Sequence, residues 1–134
     1  MTEIKIAEYK KALKSLSAAI EVYHEKKSSI DDPKLIDVIE NGIAQKFEYT
    51  VELMWKAFRD VFYENDGLEI NSPKKVIKTL YQFNHINDDM FIVLIDMIDD
   101  KNKILNIHDE QEFHQIIEKI NTYKDILESL GKII

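Results

Sequence analysis

The chain has 134 residues and no cysteine, which excludes disulfides, thiolate metal sites and a cysteine nucleophile. Three glycines and two prolines are too few for a turn-rich sandwich or barrel, and they exclude a glycine-rich phosphate loop. With 18 basic and 25 acidic residues the net charge is −7, which argues against tight autonomous binding to a DNA or RNA backbone and suits a basic docking partner.

Residues 1–134 fit one domain by length. Ile6, Tyr9, Leu13, Leu16, Ile20 and Tyr23 are spaced alternately by three and four, the stripe of an amphipathic helix. The stripe fades at Glu25–Ser29. Asp32-Pro33 opens a second helix, since proline at the first turn has no N–H to lose. Its stripe is Val38, Ile39, Ile43, Phe47, Val51, Met54, Phe58, Val61 and Phe62, and Gly67 is its stop. A helix of this span is roughly 50 Å long, and a break at Asn41-Gly42 is the alternative. Ser72-Pro73 opens a short third helix with Val76, Leu80 and Phe83 inward and Ile77 and Tyr81 alongside. A turn at Asn84–Asp89 precedes a fourth helix carrying Met90, Phe91, Leu94, Ile95 and Ile98, whose pattern ends at Asp99–Asn102. Asp109 and Glu112 form the N-cap and N3 pair of a last helix. That helix is striped by Phe113, Ile116, Ile117, Ile120, Tyr123, Leu127 and Leu130 and ended by Gly131. The fold class is therefore all-α, an up-and-down antiparallel bundle of four main helices plus one shorter helix. The longest apolar run, Met90–Ile95, is far short of a membrane span, and the N-terminus has no apolar signal core. A cytoplasmic protein is expected.

Helical bundles hold dinuclear metal sites through two Glu-x-x-His pairs and two further inward glutamates. Glu21 and His24 form the sole such pair, and they lie at or beyond the edge of the Tyr23 stripe. His108 and His114, six apart, point to different helix faces. The four histidines are read as surface residues, and neither metal nor cofactor is expected. Glu48, Glu52 and Lys56 line one ridge of the second helix, read plainly as a solvated edge. Trp55, the single tryptophan, signals packing and an indole N–H in need of an acceptor. Asp99–Glu110 gathers cations, amides and a histidine at a helix junction. It reads either as a polar turn or as a site for a phosphate or ribose hydroxyl.

Gln45-Lys46-Phe47-Glu48-Tyr49-Thr50-Val51-Glu52-Leu53-Met54-Trp55-Lys56 closely resembles the signature of the nucleotidyltransferase substrate-binding protein family, within the HEPN superfamily. The family pattern is Arg-Phe-Glu-(aromatic)-x-x-Glu-x-x-Trp-Lys. Lys46 replaces its arginine, while Phe47, Glu48, Tyr49, Glu52, Trp55 and Lys56 match. Ser72-Pro73-Lys74, Ile86-Asn87-Asp88, Met97–Asn102 and Asp109-Glu110 resemble its later features in the same order, so the likeness covers nearly the whole chain.

The resemblance implies a bundle that dimerises and a small nucleotidyltransferase partner encoded nearby, as in toxin–antitoxin systems. In such pairs the helical subunit is a metal-independent ribonuclease restrained by its partner, or a nucleotide- or substrate-binding module for it. The superfamily's ribonuclease motif is arginine, a polar residue and, after four to six residues, histidine, often with a tyrosine two positions beyond. Here Lys101 stands for the arginine and Asn102 keeps the polar position. Asn106 takes the histidine position, and His108 takes the tyrosine position while still meeting a six-residue spacing. Asparagine cannot titrate, and lysine lacks the planar fork of a guanidinium. The expectation is a partner-binding subunit with a degenerate motif at Lys101, Asn102 and His108. An active ribonuclease, or a helical dimer that binds nucleotide or RNA or is purely structural, is the alternative. Phe47 and Trp55 are expected to build the core or dimer seam. Glu48, Glu52 and Lys56 are expected to order that seam or face a cleft beside Lys101 and Asn102.

Overall fold

A computed structural model describes residues 1–134. It contains five α-helices: α1 (Thr2–Lys26), α2 (Pro33–Asp66), α3 (Pro73–Gln82), α4 (Asp88–Lys103) and α5 (Glu110–Gly131). Short 3-10 turns, Lys27–Ser29 and Ile104–Asn106, follow α1 and α4. No helix is long and apolar enough to cross a membrane.

Local chemistry sets most boundaries. The side chain of Asp32 accepts from the Lys34 N–H at 3.0 Å, that of Ser72 from Lys75 at 3.3 Å, and that of Asn87 from Met90 at 2.8 Å. Asp109 caps α5 by accepting from the Gln111 and Glu112 N–H groups. Each cap satisfies an N–H that the helix itself leaves unpaired. Glu112 pairs with Lys103 of α4 at 3.5 Å. Gly67 closes α2 at φ 68°, a left-handed conformation that glycine adopts without a Cβ clash.

α2 runs unbroken through Gly42. A Cβ added at Gly42 would meet nothing within 4 Å. Gly42→Ala is therefore expected to stabilise the protein by about 0.5–1 kcal/mol in urea unfolding, the ordinary gain for a helix interior. A loss of stability would show that the glycine has a packing role.

Side-chain contacts fix the directions of the helices. Thr2 donates to Glu64 and Tyr23 to Glu40, so α1 and α2 are antiparallel. Tyr9 reaches the Leu127 carbonyl and Lys27 reaches Glu118, so α1 and α5 are antiparallel as well. Asp100 meets Tyr123, and Lys103 meets Glu112, which sets α4 against α5. The result is an up-and-down bundle, with short α3 packed on α2 and α4. One apolar core of 27 residues runs through it, and within it Phe47 stacks on Tyr123 with ring centroids 5.6 Å apart.

Three sequence expectations need correction. The sequence stripe includes Val38, but it is 66% exposed, because at about 100° per residue it falls roughly half a turn in phase from Phe47, on the outer face, while Ile36, Ile39 and Glu40 turn inward. Phe83 ends α3 exposed and packs edge-on against Phe62. The pattern of α4 does not stop at Asp99: the helix continues to Lys103, with Met97 and Asp100 buried. Asp100 tolerates burial because α5 brings it a tyrosine hydroxyl and an ammonium group.

Candidate functional site

The motif on α2 meets the end of α4 at Glu52. One carboxylate oxygen of Glu52 accepts from the Lys101 ammonium. The other accepts from the Trp55 indole N–H at 3.3 Å and lies 3.6 Å from Lys56 Nζ. Spacings of three and four put Glu52, Trp55 and Lys56 on one face of α2, and Lys101 arrives from the last turn of α4. The Arg59 guanidinium lies 5.5 Å from the Trp55 ring centroid, within cation–π range. Burial pushes the Glu52 carboxyl up, but the hydrogen bond and charge of Lys101, with Trp55 and Lys56, outweigh it and hold the group below its ordinary range. Two turns on, burial likewise pushes Asp60 up, and Lys5 at 2.6 Å and Arg59 at 3.0 Å pull it down further.

The ridge read as a solvated edge is therefore a half-buried ion cluster at Glu52. Phe47 lies wholly in the core, Trp55 is partly buried against it, and Glu48 is half-buried beside the cluster. The structure thus brings Glu52, Trp55, Lys56 and Lys101 together. Asn102 is exposed in the last turn of α4 and Asn106 is exposed in the 3-10 turn that follows.

His108 lies elsewhere. It lines an open groove of about 740 Å³ between the first turns of α2 and the link from α4 into α5, and Lys101, Asn102 and Asn106 are not among the lining residues. The Lys101 ammonium is held by Glu52, so in this arrangement it does not share a concavity with the His108 imidazole. A single phosphate cannot take charge from the first and a proton from the second without rearrangement.

Sequence reasoning missed two buried carboxylates. Glu40, at the floor of the groove, accepts from Tyr23 at 2.5 Å and contacts His114 Nδ1 at 2.9 Å; His114 Nε2 in turn lies 3.3 Å from Glu118. Asp100 accepts from Tyr123 at 2.5 Å and from Lys119 at 2.8 Å. The available signal was positional. Glu40 stands three before Ile43 and Asp100 three after Met97, so both continue apolar stripes. Asp100→Ala is expected to cost about 1–3 kcal/mol, since it leaves the Tyr123 hydroxyl buried without an acceptor. In a double-mutant cycle with Tyr123→Phe the two losses should be strongly non-additive. Additive losses in urea unfolding would mean that the pair is not coupled.

No three histidine, aspartate or glutamate side chains converge as a metal-binding group. Residues 4–132 match the family described as nucleotidyltransferase substrate binding protein like. A crystal structure of a protein from Thermus thermophilus is similar, with a TM-score of 0.76 at 27% identity, covering 91% of this chain and 94% of that one. No curated protein matches significantly. The helical bundle, the motif on α2 and a match across nearly every residue lead to one assignment: the chain belongs to the nucleotidyltransferase substrate-binding protein-like family.

Proposed function

We propose that this protein is the helical, HEPN-like subunit of a two-component, toxin–antitoxin type system. It forms a single-domain homodimer in the cytoplasm and binds a small nucleotidyltransferase. Its ribonuclease motif is degenerate and its role is partner binding. The observation that carries this reading is the engagement of Lys101 by Glu52 while His108 lines a different groove. That geometry favours a docking subunit over a ribonuclease, which needs a cation and a proton-transfer group at one phosphate.

Two measurements test it. Mixed at micromolar concentration, the protein and the nucleotidyltransferase encoded beside it are expected to co-elute in size-exclusion chromatography. Two separate peaks would end the reading. Expressed alone, the protein is expected to leave growth unchanged. Growth arrest that His108→Ala relieves would instead favour the active ribonuclease.

A further inference from the structure

The groove beside His108 is lined by apolar side chains around the Glu40 carboxylate. Val38 is 66% exposed and Leu105 47% exposed, on opposite walls, with Ile107 and Phe113 half-buried between them. Val38 lies on the outer face of α2, about half a turn in phase from buried Phe47, so it is apolar surface that packing within the bundle does not use. The rim is acidic: Asp37, Asp109 and Glu110 stand against Lys34 alone, with His108 and His114 among them, and the buried carboxylate of Glu40 lies at the floor.

We propose that this groove docks a cationic amphipathic helix of the nucleotidyltransferase partner, with apolar side chains on Val38 and Leu105 and lysines or arginines along the carboxylate rim. The source of the helix rests on the partner-binding reading above; its chemistry rests on the groove. Helix-in-groove recognition uses this combination of an apolar trough and a charged rim. Charge complementarity selects the occupant. A phosphate backbone would be repelled by the rim, and a second copy of this chain would set two acidic rims face to face.

The test uses the full-length, 15N-labelled protein, a short synthetic leucine–lysine amphipathic peptide and its leucine–glutamate counterpart. The leucine–lysine peptide is expected to shift the amide resonances of Val38, Leu105 and Phe113, and to bind more weakly as salt rises. The leucine–glutamate peptide is expected to leave them unmoved. Val38→Asp should weaken binding about tenfold or more, and Asp37→Lys with Glu110→Lys several-fold. Val38 is exposed, so Val38→Asp is expected to keep the helical circular dichroism of the parent.

The proposal is overturned if the peptide's shifts map elsewhere, or if Val38→Asp binds it equally well. It is also overturned if oligouridylate occupies the groove, or if the groove seals a homodimer that Val38→Asp splits. The nucleotidyltransferase itself separates the two readings. If it binds the parent and loses about tenfold with Val38→Asp, both stand. Equal binding to both forms sinks the groove and leaves the partner reading. No binding to either form, with the peptide still seated on Val38, sinks the partner reading and leaves the groove's preference for a cationic segment.

Discussion

Phe47→Ala is expected to destabilise the protein by about 3–5 kcal/mol in urea unfolding and to lower its melting temperature by roughly 10 °C or more. The Phe47 side chain is fully buried at the middle of α2. Its ring stacks on Tyr123 of α5 with an interplanar angle of 15°. Truncation removes the transfer energy of the ring and leaves a cavity that rigid helices on both sides cannot close. Tyr49, two residues away on the same helix, is 58% exposed and serves as the control. Tyr49→Ala should change stability by no more than about 0.5 kcal/mol. Comparable losses in the two variants would mean that the core is not centred on Phe47.

Alkali is expected to unfold the protein cooperatively just above the ordinary tyrosine range. Burial pushes the Tyr9, Tyr23 and Tyr123 hydroxyls well above that range, and the nearby charges of Glu128, Glu40 and Asp100 add to it. Tyr9 donates to the Leu127 carbonyl, Tyr23 to Glu40 and Tyr123 to Asp100, and in each case the native state needs the proton. The unfolded chain surrenders these protons from about pH 10, whereas the folded chain keeps them. Their contribution is thus complete below the unfolded pKa and declines as pH rises toward the folded values. The slope approaches about 1.4 kcal/mol per pH unit for each tyrosine, so three together reach about 4 kcal/mol per unit. Tyrosinate absorbance and far-ultraviolet circular dichroism, followed in one titration, check this. A major step of ionisation should coincide with the loss of helix. Smooth ionisation of all six tyrosines with helicity intact would contradict it.

Helix starts were legible in the sequence because their hydrogen bonds are local. Asp32, Ser72 and Asp109 each cap within three residues of themselves, and Gly67 needs only its own backbone geometry. The stripes of α1 and α5 were legible for a similar reason, since period alone places Tyr9, Leu16, Ile120 and Leu127 on one face. What failed has two causes. Val38 is next to Ile39 in sequence, but at about 100° per residue it is turned onto the outer face, a phase the stripe itself could have shown. Asp100 looked like a terminator because its partners, Tyr123 and Lys119, lie on another helix.

The site divided in the same way. The motif pointed to Glu52, Trp55 and Lys56 near Lys101, and their meeting is visible in the structure although Glu52 and Lys101 are 49 residues apart. Sequence proximity misled for Lys101 and His108. Lys101 turns toward the middle of α2, while the link after α4 carries His108 toward its first turns.

The continuity of α2 across Gly42 has a mechanical consequence. At 1.5 Å per residue, Glu40 at the groove and Glu52 at the ion cluster sit about 18 Å apart on a single beam. With no break between them, a slide of α2 along its axis would carry the groove wall and the ion cluster by the same distance, and a tilt would move each in proportion to its distance from the pivot.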